Sequence, residues 1–201
     1  MPHQALPMLV LIALLVIVLF IFWKMHQARV AAWAGFASRH GMHADGLQIE
    51  GTYEGYPMRL ETQRRGSGKN GHYVTVLHLS TNDALPPDFS LEPEGFGDKL
   101  LKLFGQRDPE IGEEQFDKRF DLSNLTASTT RVLRHPSVQQ HLYEMISHYR
   151  AFHIRDGWIQ AEWRDIPSTA DALEEFTGPA LMLAHTLEEA SGRTQGWTTT
   201  G

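Results

Sequence analysis

The polarity pattern begins with an apolar run. Residues 5–23 carry no charge, and fifteen consecutive positions from Met8 to Phe22 are apolar. A helix rising about 1.5 Å per residue would carry this run across the roughly 30 Å hydrocarbon core of a bilayer. The pattern predicts a single transmembrane anchor over residues 1–24. Trp23 suits the interface, and Lys24 can reach the headgroups. A cleaved signal peptide would need a basic leader, a shorter apolar core and a small-residue cleavage site. No Lys or Arg precedes the run, and Phe20-Ile21-Phe22-Trp23 is a poor cleavage site.

Beyond Trp23 the pattern changes to that of an α+β domain. Val30, Trp33, Ala34 and Ala37 recur at helical spacing, so residues 25–44 read as a juxtamembrane continuation of the anchor helix, stopped by Gly41. Trp33 and Phe36 are expected to dock on the domain. Residues 47–53 and 56–62 read as a hairpin turned by Glu54-Gly55, and residues 72–80 as a third strand of β-branched and aromatic positions. Residues 83–114, rich in Pro, Gly and acids, suggest a seam between two halves. Phe89 and Leu91 there suggest a short strand, and residues 97–104 a short helix.

In the second half, alternation over residues 116–122 predicts a strand, and residues 126–134 a helix. Pro136 fits the first position of another helix, with Val138, Leu142, Met145, Ile146 and Tyr149 on its buried face. Asp156-Gly157 is a strong hairpin signal between residues 152–155 and 158–163. Ser168 to Asp171 resembles a capping box opening the last helix, which Gly178-Pro179 is expected to kink or split and Gly192 to end. The expected architecture is an anchor, then one α+β domain over residues 45–193 with two β-hairpins packed on helices, then a disordered tail over residues 194–201.

Charge adds an orientation. All 18 basic and 24 acidic residues follow Trp23. Residues 24–44 hold three bases and no acid, and the remainder is acidic. The positive-inside rule then places the domain in the cytoplasm and the N-terminus outside the inner or plasma membrane. The acidic body argues against a nucleic-acid partner. The absence of cysteine excludes disulfides, thiolate nucleophiles and Cys-based metal sites.

The candidate chemistry is thin. Gly66, Gly68 and Gly71 spell a dinucleotide-type glycine pattern, but a strand is expected to follow where the fingerprint needs a helix. That stretch reads instead as a glycine-rich connection, and Arg64, Arg65 and Lys69 make it a candidate lipid or anion contact. His141, Glu144 and His148 share one helix face and are the candidate metal ligands, although an i to i+7 spacing sets the two histidines about 10 Å apart along the axis. His40 and His43 flank a turn and are candidates for a pH response. Glu110, Glu113, Glu114 and Asp117 read as a solvated acidic cluster. No catalytic motif is present, and no catalytic residue or cofactor is expected.

The Gly51-Thr52-Tyr53-Glu54-Gly55 hairpin, Phe116-Asp117 with Phe120, and the Ala184 to Ala190 ending resemble those of uncharacterised bacterial single-pass membrane proteins. The resemblance implies no activity and carries over no functional residues. The sequence supports first a membrane-tethered interaction or sensory module with a protein partner. An anionic-lipid surface module is the second reading. A metal-dependent hydrolase built on His141, Glu144 and His148 is the third.

Overall fold

The N-terminal helix does not end with the apolar run. In the computed structural model, which describes residues 5–94 and 110–192, helix α1 (Ala5–Arg39) continues unbroken into the domain. It is long and apolar enough to cross a membrane, and its apolar side chains are exposed from Val10 to Met25. Three turns further on, Trp33, Phe36 and Ala37 are fully buried in the domain core. Trp33 donates its indole N–H to the Pro167 carbonyl at 3.1 Å. Gly41 (φ +66°) follows the helix and turns the chain back.

Eight strands then build a single antiparallel sheet. They are β1 (His43–Asp45), β2 (Gln48–Tyr53), β3 (Tyr56–Arg65), β4 (His72–Ser80), β5 (Ser90–Pro93), β6 (Phe120–Ser123), β7 (Ala151–Arg155) and β8 (Trp158–Trp163). Their spatial order is β1-β2-β3-β4-β8-β7-β5-β6. Strands β1 to β4 form a meander, and β4 then pairs with β8, Leu77 facing Ala161. Both expected hairpins form as parts of this sheet. Glu54 and Gly55 (φ 49° and 91°) and Asp156 and Gly157 (φ 55° and 76°) supply the two positive φ values that a tight two-residue turn requires.

The helices α2 (Glu114–Asp117), α3 (Ala127–Leu133), α4 (Pro136–His148) and α5 (Ala170–Ser191) share one hydrophobic core with the docked end of α1. Strand residues facing that core alternate with residues facing away, as a pleated sheet dictates. Thus Met58 and Leu60, Leu77 and Leu79, and Ile159 and Ala161 enter the core. Arg59 and Glu61, Val76 and His78, and Gln160 and Glu162 lie on the opposite face. Among the described residues no helix covers that second face.

Three local expectations are corrected. Residues 116–122 are not one strand, because Glu114–Asp117 is a helical turn and only Phe120–Ser123 is extended. The Asp117 carboxylate accepts from the amides of Ile111, Gly112 and Glu113 at 2.9, 3.0 and 2.9 Å, which winds the chain. Phe116 and Phe120 then pack with their rings tilted by 36° and centroids 4.6 Å apart. The cap of α5 is Thr169, whose hydroxyl accepts from the Ala172 amide, so Ser168 to Asp171 is not a capping box. Helix α5 also runs through Gly178-Pro179 without splitting. The helix expected at residues 97–104 and the tail lie outside the described residues.

Candidate functional site

Helix α5 carries a polar stripe that the β2–β3 hairpin and the end of α1 lock onto. Glu174, Thr177, His185 and Glu188 recur at i, i+3, i+11 and i+14, which puts them on one helix face. Opposite them, Tyr53 and Tyr56 are direct cross-strand partners flanking the hairpin turn. The two phenols diverge along α5. Tyr53 donates to Glu174 Oε2 at 2.8 Å, and Tyr56 donates to Glu188 Oε2 at 2.5 Å with His185 Nδ1 at 3.1 Å.

His40, at the end of α1, completes the first cluster. Its Nε2 lies 2.7 Å from Glu174 Oε1, and its Nδ1 lies 3.7 Å from Glu54 Oε1. With the proton on Nε2, His40 donates to Glu174, so one carboxylate binds the residue just after α1 and a residue of β2 together. The His40 ring also packs on Phe36 and edge-on to Tyr53, at centroid distances of 4.9 and 4.7 Å. Burial, reinforced by the Glu174 charge against the Thr177 hydrogen bond, pushes the Tyr53 hydroxyl up to about 12. Burial and Glu188 push Tyr56 up likewise. Both phenols therefore act as hydrogen-bond donors and stay neutral at ordinary pH. Each polar tip meets a protein partner, so the arrangement is a latch between the long apolar helix and the domain.

The second face of the sheet lays charged pairs, within and across strands, over the buried Val74 and Val76. Arg65 on β3 and Glu162 on β8 join across the intervening β4 and pass over Val74. Arg155 pairs with Glu92 at 2.5 Å, and Arg59 with Glu61 at 2.6 Å. His78 and His153 stand on either side of Gln160, which is the register partner of both. Burial pushes both imidazoles below the usual histidine range. Burial raises the Glu61 carboxyl, but hydrogen bonds from Gln63 and Arg59 outweigh it and leave the group below its ordinary value. At the far end of α5 a cleft of about 530 Å³ opens between residues 83–87, Ser128, Thr129, Arg131 and Val132 of α3, and Ala190 and Ser191. Asn82 and Asp83 at its lip hold positive φ values of 47° and 60°.

The residues singled out by sequence are divided by the fold. His141 Nδ1 and Glu144 Oε2 lie 2.9 Å apart. His148 does not join them. Its ring packs against Tyr149 and Trp163, and its Nε2 is buried without a hydrogen-bond partner among the described residues. No group of three metal-ligating side chains forms among the described residues. Arg65 is taken by Glu162, Arg64 donates to the Gly68 carbonyl at 3.4 Å, and Lys69 sits exposed on a 3-10 turn, Gly68–Asn70. In the acidic cluster, Asp117 binds backbone amides, Glu113 accepts from Gln139, and Glu114 pairs with Lys118. His43 lies on β1, outside the latch.

Sequence reading named His40 but missed Tyr53, Tyr56, Glu174, His185 and Glu188. The signal was the 14-residue spacing of Glu174 and Glu188, two whole heptads, combined with tyrosines on both sides of a hairpin turn.

No family model matches the chain, and no characterised protein matches it. The crystal structure of the mycobacterial trehalose monomycolate transport factor A, TtfA, is similar over 81% of this chain and 95% of that chain, at 10% identity and a TM-score of 0.47. A likeness this loose carries no argument about function.

Proposed function

We propose that this protein is a membrane-tethered interaction or sensory module. Its N-terminus lies outside, its α+β domain lies in the cytoplasm, and a protein partner seats on the open sheet face. The observation that supports this reading most is the continuity of α1. The helix passes from an exposed apolar stretch to the buried Trp33, Phe36 and Ala37 without a break or a linker. A flexible tether would only concentrate a domain near the membrane, whereas a helix fused into the core also fixes its orientation. The second face, with His78, Gln160 and His153 at its middle, is then held to one side of the anchor.

The lack of any native cysteine permits a direct test. A photo-crosslinker on Gln160→Cys is activated in native membranes, beside a control on Met182→Cys, an exposed position of α5. The expected result is one discrete protein adduct from position 160 and none from 182. Equal labelling from both positions, or none from either, would remove the open face as the docking surface.

A further inference from the structure

The topology brings one end of the sheet to the side from which α1 enters. Trp33 binds the Pro167 carbonyl, and the Thr75 hydroxyl binds the Asp165 carbonyl at 2.8 Å. The start of β4 therefore lies at the level of the first buried turn of α1. From Thr75 the strand continues back to His72, about 10 Å further from the Glu54-Gly55 turn at roughly 3.3 Å per residue. There it meets the glycine-rich connection that carries Lys69.

This end is basic in a chain that is acidic as a whole. Arg64, Lys69, Arg150 and Arg164 are exposed here, and none has a carboxylate partner among the described residues. Arg150 turns its guanidinium to His72 Nε2 at 2.7 Å, and Arg64 lies against Gly71. The acids at this end of the central strands are Glu162, already bound to Arg65, Glu61 at the same level on β3, already bound to Arg59, and Asp165, while Asp45 lies on β1, four strands from β8. Tyr73, 59% exposed beside Arg64, adds an aromatic suited to an interface.

The spacing fits a bilayer. Nine residues separate Lys24 from Trp33, or at most about 13 Å along the helix. The headgroup layer fills about 5–7 Å of that gap. What remains is within a Debye length of about 8 Å and within reach of an Arg or Lys side chain.

We propose that the sheet end built by Arg64, Lys69, Arg150 and Arg164 is a second membrane contact that seats on anionic lipid headgroups. This rests on the tethered reading above and deepens it. The span fixes the domain to the membrane, and the basic end sets its tilt and rotation on the surface. The anionic cytoplasmic leaflet is the matching partner, since surface Lys and Arg are attracted to it.

The test uses the full chain reconstituted in vesicles of phosphatidylcholine, with or without phosphatidylglycerol. A fluorophore on Ser67→Cys reports quenching by headgroup-labelled lipid, and one on Asp88→Cys at the opposite end is the control. Quenching at position 67 is expected to rise several-fold in the anionic vesicles. High salt, or the combined variant R64Q/K69Q/R150Q/R164Q, should return it to the neutral-lipid level, with position 88 unchanged throughout. Quenching that ignores lipid charge, salt or the variant would overturn the contact. So would inorganic phosphate binding to the detergent-solubilised chain without any lipid dependence, which would mark a free-anion site instead. Carbonate extraction separates the two readings. Protein washed out of the vesicles sinks the tether itself, while retained protein with lipid-independent quenching sinks only the headgroup contact.

Discussion

The hydroxyl of Tyr149 is spliced into the backbone ladder of α5 beside Phe176. It donates to the Phe176 carbonyl at 2.5 Å and accepts from the Ala180 amide at 3.3 Å, the two groups that would bond directly in a regular helix. Pro179 disturbs this turn, having no N–H to give and a ring that crowds the preceding carbonyls. One phenol from the residue that caps α4 bridges the opening, so the helix stays whole. Tyr149→Phe leaves a buried carbonyl and a buried amide unpaired, at a cost of about 1–3 kcal/mol. Denaturant unfolding in detergent checks the magnitude. Faster hydrogen exchange at Ala180 than in the rest of α5 checks the location, and unaltered exchange there would refute the bridging role.

The latch at Glu174 predicts a smaller loss. Glu174→Ala strips the acceptor from both His40 and Tyr53, but the carboxylate side chain is 34% exposed, so water replaces part of it. About 1 kcal/mol is expected, the low end for a charged hydrogen bond. The Tyr53 hydroxyl also loses a negative neighbour and should titrate below about 12 in the variant, as followed by tyrosinate absorbance. In the native chain the stability tied to Tyr53 is complete below its unfolded value near 10 and is lost as pH rises from there toward 12.

His78 and His153 predict a loss on the acid side. Each has a folded pKa below its unfolded value near 6.5, so the unfolded chain binds more protons in that range. Their contribution is complete above pH 6.5 and falls as pH drops through that value. Glu61 faces His78 from β3 and partly offsets burial there, as Glu92 does for His153, while Arg59 and Arg155 act with burial. The double variant H78Q/H153Q should flatten the decline in urea midpoint between pH 7 and about 5. Superimposable profiles for variant and native chain would exclude these two groups as the cause.

Docking of α1 is tested at Trp33, which is completely buried. Trp33→Ala should cost about 3–5 kcal/mol through the cavity it leaves. It also frees the Pro167 carbonyl. Limited proteolysis should then cut at Arg29 or Arg39, sites held in regular helix while α1 is seated. Resistance to cleavage equal to that of the native chain would mean that the docked segment holds without its largest anchor.

Local grammar made much of this fold legible. Asp156-Gly157 demanded its turn, residues 72–80 carried a clear period of two, Pro136 opened α4, and Gly192, with φ 73°, closed α5. The errors came where distant groups overrule local pattern. Alternation from Phe116 to Leu122 looked extended, yet the Asp117 carboxylate gathered three upstream amides and wound the chain there. Gly178-Pro179 was expected to kink or split α5, and the helix stays unsplit because Tyr149 supplies a hydroxyl from the end of α4. The latch was hidden for the same reason, because His40 and Glu174 are 134 residues apart and neither belongs to a motif.

The pairing of β4 with β8 also fixes an order of events during synthesis. Strand β4 is complete at Ser80, but its partner begins only at Trp158. At about 5–20 residues per second the ribosome needs roughly 4 to 16 s to make the stretch between them. Throughout that interval β4 has one bare edge, with Val74, Val76, Leu77 and Leu79 beside unpaired amides and carbonyls. Helix α1 has already emerged, so this unfinished sheet waits beside it among other nascent chains. The last hairpin is the closing piece, and a stall or truncation before residue 163 leaves an adhesive half-sheet at the end of an exposed apolar helix.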